Sequence, residues 1–134
     1  MKQRWITSPK TIIKDFSFMG QISIEGMEFF AYHGCFAEER IIGTKFVVDA
    51  FLETDTQGAE FTDDLTKTID YQSVYGIVRE EMSVPSKLLE HVGRRIIDRI
   101  KKEYPGVMAC RIKVSKMNPS VGGQVRMVSI ELRA

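Results

Sequence analysis

The chain has 134 residues, of which 43% are hydrophobic and 28% are charged, a composition typical of one globular domain and not of a disordered protein. The formal net charge is +1, so the overall charge favours binding neither to nucleic acid nor to an anionic membrane. The two cysteines, Cys35 and Cys110, are too far apart in sequence to form a disulfide framework, and we therefore expect a cytoplasmic protein.

The first 20 residues are basic and lack the continuous apolar core of a secretory signal. No apolar run in the chain approaches the roughly 20 residues that a membrane-spanning helix requires. We interpret residues 1–20 as an extension that packs on the domain or on a neighbouring subunit, and residues 21–134 as a single domain.

Alternating apolar residues predict two strands at the start of this domain. Ile22 and Ile24 alternate with polar side chains, and a longer stretch then places an apolar residue at every second position. The members of that repeat are Phe46, Val48, Ala50 and Leu52. We expect the two strands to pair antiparallel through HGCFAEERIIG, residues 33–43, which we interpret as a loop. In this loop Gly34 is expected to permit a sharp turn that His33 helps to fix.

The periodicity changes to that of helices in the middle of the chain. One apolar stripe predicts a first helix, for which Asp70 is the expected N-cap residue. The stripe consists of Tyr71, Val74, Tyr75, Val78 and Met82. Ser86 is the expected N-cap residue of a second helix. The inner face of that helix is formed by Leu89, Val92, Ile96 and Ile100.

Two further strands are predicted at residues 109–116 and 125–132, on either side of a turn that contains Asn-Pro and Gly-Gly. The order strand, strand, helix, helix, strand, strand indicates an α+β fold, in which two helices cover one face of a four-stranded antiparallel sheet. Such a sheet has two long open edges, which favour aggregation unless they are covered. We therefore expect the chains to form a homo-oligomer by joining their sheets edge to edge into a β-barrel.

Four places carry polar side chains that packing does not require. They are His33, Glu38, Glu39 and Arg40 in the loop, Tyr71 at the start of the first helix, Glu90 and His91 at the start of the second, and Lys116 at the end of the third strand. Each also has a structural explanation, since loop glutamates and a lysine at a strand end are usually solvated, a helix dipole favours Glu90, and Tyr71 fits an apolar helix face. The residues alone leave both explanations open.

Several kinds of site are disfavoured by the sequence. The two histidines and two cysteines do not show the close pairing of a zinc site, and we expect no metal. The chain also lacks a phosphate-binding glycine loop and a nucleophile elbow. If the protein is an enzyme, we expect it to use acid–base side chains alone.

In their order and spacing, four segments of the chain resemble the dihydroneopterin aldolase family of folate biosynthesis. The segments are IEGMEFFAYHGCFAEERIIGTKFVVD, DDLTKTIDYQSV, LLEHVGRRI and VSKMNPSVGG. The resemblance runs from about Gln21 to the C-terminus. It implies the tunnelling fold, in which antiparallel sheets of several subunits join into a barrel, as tetramers or octamers with active sites at subunit interfaces.

The resemblance also implies a reaction and the residues that perform it. The substrate would be a small pterin, 7,8-dihydroneopterin, cleaved to 6-hydroxymethyl-7,8-dihydropterin and glycolaldehyde without a metal, a Schiff base or a cofactor. Lys116, Tyr71 and Glu39 would be catalytic, with Tyr71 supplied across a subunit interface. Glu90 and the backbone around Leu89 would bind the pterin ring, with Tyr71 and Glu39 also in contact with the substrate. Arg40 is expected to have only a structural role.

Two alternatives remain open at the level of sequence. An epimerase of the same fold would break the same bond of dihydroneopterin, or of its triphosphate, and then re-form it with the 2′ centre inverted. A non-catalytic barrel would bind pterins or purines without turnover. Analysis of the products formed from dihydroneopterin separates these functions.

Overall fold

A computed structural model describes residues 5–7, 12–14 and 16–134 of the chain. The first two of these segments are the short strands β1 (Trp5–Thr7) and β2 (Ile12–Lys14), which pair with each other antiparallel. The expected packing of the N-terminal extension involves residues that lie outside the described part of the chain.

The predicted α+β fold is confirmed. Four strands form an antiparallel sheet whose spatial order follows the chain: β3 (Met19–Ala31), β4 (Thr44–Asp55), β5 (Ala109–Met117) and β6 (Met127–Arg133). The helices are α1 (Ala37–Ile42), α2 (Gln57–Thr62), α3 (Tyr71–Met82) and α4 (Leu89–Glu103), and a 3-10 helix spans Leu65–Lys67. Within the described residues, no helix has the length and apolar character needed to cross a bilayer.

The core lies between one face of the sheet and the two long helices. The alternating apolar residues of β4, which are Phe46, Val48, Ala50 and Leu52, are all fully buried. On the neighbouring strand their cross-strand partners include Val114 and Ile112, which are also fully buried. Burial of side chains of this size contributes roughly 1.5–3 kcal/mol each. The intervening residues of β4, such as Val47 and Phe51, are only half-buried because no helix covers the other face of the sheet.

Helix α3 has the predicted position, but its apolar stripe is not uniformly buried. Asp70 caps the helix as expected, because its side chain accepts a hydrogen bond from the backbone N–H of Gln72 at 2.9 Å. The buried residues are Val74, Ile77, Val78 and Met82. Tyr71, in the first turn, is 65% exposed. The structural explanation of Tyr71 as a core residue is therefore wrong for the single chain.

Helix α4 packs through the predicted face, but the prediction that Ser86 caps it is wrong. Val92, Ile96 and Ile100 are fully buried. The helix begins only at Leu89, and its N-cap position has no side-chain hydrogen bond. Ser86 lies before the helix, is buried, and bonds instead to His33 in a distant part of the chain.

The segment between β3 and β4 was predicted to be a loop, but part of it forms the helix α1. This helix has six residues and buries none of them, so it leaves no apolar periodicity in the sequence. Its first turn carries Glu38 and Glu39 and its last turn carries Arg40, an arrangement that the helix dipole favours. Arg40 has no ion pair among the described residues, so its expected structural role is limited to this position at the helix C-terminus.

His33 connects the β3–α1 loop to the segment that precedes α4. Its side chain is 1% exposed and packs edge-on against Phe46, with ring centroids 5.1 Å apart. Its Nδ1 accepts a hydrogen bond from the backbone N–H of Ser86 at 3.0 Å. Burial, together with the positive charges of Arg95 and Lys116, lowers the pKa of His33 from 6.5 to about 4, while the Met82 backbone acts in the opposite direction. His33 is therefore neutral at pH 7, with its proton on Nε2.

The buried neutral histidine makes stability depend on pH. Between pH 6.5 and 4 the unfolded chain binds a proton at this residue that the folded chain does not, so the free energy of unfolding falls as the pH falls. We expect His33 to account for a loss of about 2 kcal/mol between pH 7.5 and pH 5. Urea unfolding at pH 7.5 and pH 5, at one protein concentration, measures the free energy of unfolding. His33→Asn is the control, because it lacks the titrating group. Equal pH dependence in the two proteins would contradict this assignment.

Candidate active site

Lys116 lies near the end of β5, just beyond the last buried apolar residue of that strand. It pairs across the sheet with Phe46, so its side chain lies on the same face as the buried Val114 and Ile112. Only 15% of the side chain is exposed. A lysine in this position needs a counter-charge, since an unpaired ammonium group is costly to bury. The structural explanation of Lys116 as a solvated strand end is therefore wrong.

Glu39 supplies that counter-charge. One carboxylate oxygen, Oε2, forms an ion pair with Lys116 Nζ, and the Glu39 side chain is 24% exposed. The other oxygen, Oε1, accepts a hydrogen bond at 3.3 Å from the backbone N–H of Phe36, the N-cap residue of α1. Both oxygens are thus engaged, and the structure brings together two of the predicted site residues from distant parts of the chain.

Gly34 is required by Glu39 and not by a turn, contrary to the sequence-based expectation. The glycines with positive φ among the described residues are Gly26, Gly43 and Gly122, so Gly34 lies outside the left-handed region. A Cβ atom at Gly34 would lie 2.5 Å from Glu39 Cδ and 2.6 Å from Oε1. Because residue 34 has no side chain, the Glu39 carboxylate can approach the backbone of Gly34 closely while it contacts Lys116.

The electrostatic surroundings of Lys116 act in two directions. Burial lowers the pKa of Lys116, while the nearby Cys35 thiol group acts in the opposite direction. The Glu39 carboxylate, in direct contact, favours the charged ammonium group. The lowered pKa makes the Lys116 ammonium group easier to deprotonate than that of a solvated lysine, and Glu39 keeps it in a fixed position. Cys35 was not among the predicted site residues, because nothing in the sequence pattern distinguishes it. Its Sγ donates a hydrogen bond to the Lys87 carbonyl at 3.4 Å.

A cavity of about 220 Å³ opens beside the ion pair. Its lining residues are Glu38, Glu39, Ile42, Gly43, Thr44, Lys116, Asn118 and Ser120. The last two belong to the β5–β6 hairpin and were not among the predicted site residues, because a lone asparagine and serine in a turn carry no distinctive pattern. Ligand pockets typically enclose roughly 300–1,000 Å³. The cavity of the single chain is thus smaller than a typical ligand pocket.

The other predicted site residues lie outside this cavity in the single chain. Glu90 and Leu89 are in the first turn of α4, where backbone N–H groups lack partners within the helix. Glu90 is exposed, whereas Leu89 packs partly against the core. Tyr71 is exposed at the start of α3. The carboxylate of Glu90 and the phenol of Tyr71 are thus both accessible to a ligand.

The structure also bears on metal binding. Among residues 16–134 and the two short N-terminal strands, no group of three or more His, Cys, Asp or Glu residues is arranged to hold a metal ion. The polar side-chain groups beside the cavity are one amine, two carboxylates, two hydroxyls and one amide. This set can move protons and donate or accept hydrogen bonds.

Comparison with known proteins gives one consistent family. Residues 22–133 match the family model of dihydroneopterin aldolase. The dihydroneopterin aldolase of Bacillus subtilis is 37% identical over 115 residues, which cover 85% of this chain and 96% of the relative. The solved structure of FolB from Vibrio cholerae superposes with a TM-score of 0.79 at 26% identity, covering 87% of this chain and 97% of the other.

A second solved structure extends the comparison to a ligand. Dihydroneopterin aldolase of E. coli, crystallised in complex with neopterin, superposes with a TM-score of 0.79 at 20% identity and covers 87% of this chain and 99% of its own. At this identity the likeness concerns the fold. The match of the family model and the identity to the Bacillus relative decide the membership. The chain belongs to the dihydroneopterin aldolase family, and it is an enzyme, a carbon–carbon lyase.

Proposed function

We propose that the chain cleaves 7,8-dihydroneopterin in the cavity beside Lys116 and Glu39. The observation that carries this proposal is the largely buried Lys116–Glu39 ion pair, because it provides a held amine next to an open cavity. The neopterin complex of the E. coli relative supports a pterin as the ligand class. The products are 6-hydroxymethyl-7,8-dihydropterin and glycolaldehyde.

Glu90 binds the pterin ring in this proposal. The pyrimidinone edge of a pterin presents an N–H group and an exocyclic amine side by side, and a carboxylate accepts hydrogen bonds from both. Glu90 is exposed in the first turn of α4, so its carboxylate is free to make this contact. The backbone N–H groups around Leu89 meet the remaining polar atoms of the ring.

The retro-aldol step needs proton transfers at two places. The 2′-hydroxyl loses its proton, the C1′–C2′ bond breaks, and glycolaldehyde leaves. The electron pair moves into the N5=C6 imine of the ring, and C1′ then gains a proton to become the hydroxymethyl group. Because the ring itself accepts the electrons, no Schiff base is needed. Lys116 and Tyr71 carry out the proton transfers, and Glu39 holds and tunes Lys116.

The complete site requires a second copy of the chain. The cavity of 220 Å³ is small for a pterin, and Tyr71 is 65% exposed on a separate helix. The sheet also has two edges, β3 and β6, that pair with no other strand of the described chain. We infer that chains join edge to edge into a β-barrel, as a tetramer or an octamer, and that the Tyr71 of one chain completes the cavity of its neighbour.

The activity itself is tested by product analysis with 7,8-dihydroneopterin. We expect release of glycolaldehyde in equal amount to 6-hydroxymethyl-7,8-dihydropterin. A product with an inverted 2′ centre and no glycolaldehyde would indicate an epimerase. Binding of the pterin without any product would indicate a non-catalytic barrel.

Substitution of the two binding and catalytic residues should separate their roles. We expect Lys116→Ala to lower kcat by about 100-fold or more while the Kd for neopterin stays within about threefold, since the amine does not hold the ring. Glu90→Ala should raise the Kd for neopterin by about 10-fold or more, because it removes charge-assisted hydrogen bonds. Steady-state kinetics and fluorescence titration measure the two effects. Equal losses of binding and turnover in both variants would contradict the division of roles.

Mixed oligomers test whether Tyr71 crosses a subunit interface. Lys116→Ala and Tyr71→Ala chains are each expected to assemble into inactive oligomers. When the two are co-expressed in equal amounts, about a quarter of the sites should combine an intact Lys116 with an intact Tyr71 from a neighbour. Turnover per site should then rise well above that of either variant alone. Absence of any recovery in oligomers shown to contain both chains would place Tyr71 and Lys116 of one chain in the same site.

Gly34→Ala tests the placement of Glu39. The added methyl group overlaps the Glu39 carboxylate, so we expect the ion pair with Lys116 to open and kcat to fall by about 10-fold or more. Gly76→Ala is the matched control, because a Cβ atom there meets nothing within 4 Å. Kinetics of both variants, with circular dichroism to verify folding, provide the measurement. An unchanged kcat in folded Gly34→Ala would show that Glu39 tolerates displacement.

A further inference from the structure

Ser86 joins two parts of the chain that carry different site residues. Its backbone N–H donates to His33 Nδ1 at 3.0 Å, and its carbonyl oxygen accepts from the Gly34 N–H at 2.9 Å. Its hydroxyl oxygen accepts from Arg95 Nη2 at 2.9 Å. All three polar groups of a buried serine are therefore engaged, and we refer to His33, Gly34, Ser86 and Arg95 as the Ser86 junction.

The two sides of the Ser86 junction lead directly to the site. On one side, the loop after Gly34 continues into α1, where Glu39 lies against Gly34. On the other side, the segment after Ser86 continues into α4, whose first turn carries Glu90. The Cys35 thiol adds a further contact to the Lys87 carbonyl at 3.4 Å. A few hydrogen bonds around one residue thus link the loop that leads to Glu39 with the segment that leads to Glu90.

Arg95 holds the junction from within α4. Besides the Ser86 hydroxyl, its Nη2 donates to the Val84 carbonyl at 2.8 Å, and its Nη1 donates to Glu81 Oε1 at 3.1 Å. The side chains of this ion pair are only 21% and 15% exposed. A planar guanidinium group meets these acceptors from two separate nitrogen atoms, an arrangement that the single nitrogen of a lysine does not reproduce. The segment before α4 is therefore fixed both to its own helix and to the β3–α1 loop.

We propose that His33 and Arg95 are positioning residues for the aldolase reaction, which act through Ser86 to hold Glu39 and Glu90 at a fixed separation. This inference rests on the roles proposed above for those two glutamates. His33 does not touch the substrate in this proposal. Its contribution is the acceptor atom Nδ1, which locks the backbone of Ser86, and neither Glu39 nor Glu90 keeps its place without that lock.

The proposal requires a neutral imidazole. A protonated His33 would present a donor to the Ser86 N–H and could not accept its hydrogen bond. The charged groups facing His33 are Arg95 from α4 and Lys116 from β5, and their partners are the carboxylates Glu81 and Glu39. A third positive charge at His33 would repel both cations, so protonation would release the junction and disturb the Lys116–Glu39 pair together.

Two substitutions at residue 33 separate the acceptor from the volume it fills. His33→Asn keeps an acceptor oxygen bonded to Cγ, where the histidine carries Nδ1. His33→Leu has a similar branched shape without an acceptor. We expect the asparagine variant to retain kcat and KM within about threefold of the wild type, and the leucine variant to lose about 10-fold or more in kcat/KM through both a higher KM and a lower kcat.

Two further readouts extend the test beyond this pair. The Kd for neopterin should rise in His33→Leu and not in His33→Asn, since Glu90 is displaced only in the former. Arg95→Lys keeps a charge opposite Glu81 but has one nitrogen in place of the two that bond Ser86, Val84 and Glu81. We therefore expect its KM to rise, as in His33→Leu. Below pH 5 the kcat/KM of the wild type should fall more steeply than that of His33→Asn, which lacks the titrating group.

These measurements distinguish a positioning role from a purely structural role, and they distinguish both from failure of the proposed function. If folded His33→Leu matches His33→Asn in kcat/KM and in neopterin Kd, the junction only stabilises the fold and the proposal is overturned. If His33→Leu does not fold, an unchanged KM in folded Arg95→Lys overturns it. Should the wild type release no glycolaldehyde, the proposed function fails, and the neopterin Kd of the variants still decides whether the junction positions Glu90.

Discussion

The ion pair between Lys116 and Glu39 is the interaction on which the rest of the site depends. A lysine on the buried face of a strand can remain there only if an opposite charge meets it. The carboxylate that does so comes from a six-residue helix that buries no side chain of its own. The helix is therefore held in place by the pair it forms, by the close contact with Gly34, and by the bonds of the loop to Ser86.

This arrangement explains why the loop between β3 and β4 is longer and more polar than a connection requires. His33 fixes its first part to the core, Gly34 makes room for the carboxylate, and Glu39 reaches across to β5. Each of these residues helps to place the next one along the chain. Glu39 and His33 thus connect this segment to β5 and to the residues before α4.

Much of the fold was predictable from the sequence, because its main elements follow regular periods. The alternation in β4 and the helical stripes of α3 and α4 lie close to the predicted positions, and Asp70 is the predicted cap. Helix α1 was missed because a short exposed helix has no apolar period. Ser86 was assigned to the wrong role, since its partners His33 and Arg95 are distant in sequence and local pattern cannot reveal them.

The site was predictable only in part, for a different reason. Motif resemblance names Lys116, Glu39, Tyr71 and Glu90, but spacing does not say which of them share a cavity. The single chain brings two of them together and leaves the other two accessible elsewhere on its surface. The reason for Gly34 was also hidden, since a glycine needed for close approach looks in sequence like a glycine needed for a turn.

The two sides of the cavity beside Lys116 differ in whether a larger side chain can be introduced there. On the α1 side, a Cβ atom at Gly34 would overlap the Glu39 side chain, so residue 34 cannot be enlarged without moving a residue that lines the cavity. On the hairpin side, Ser120 is exposed and lines the same cavity from the turn between β5 and β6. Engineering the enzyme for longer or bulkier substrate tails should therefore start at Ser120, where a new side chain alters the shape of the pocket without replacing Lys116 or Glu39.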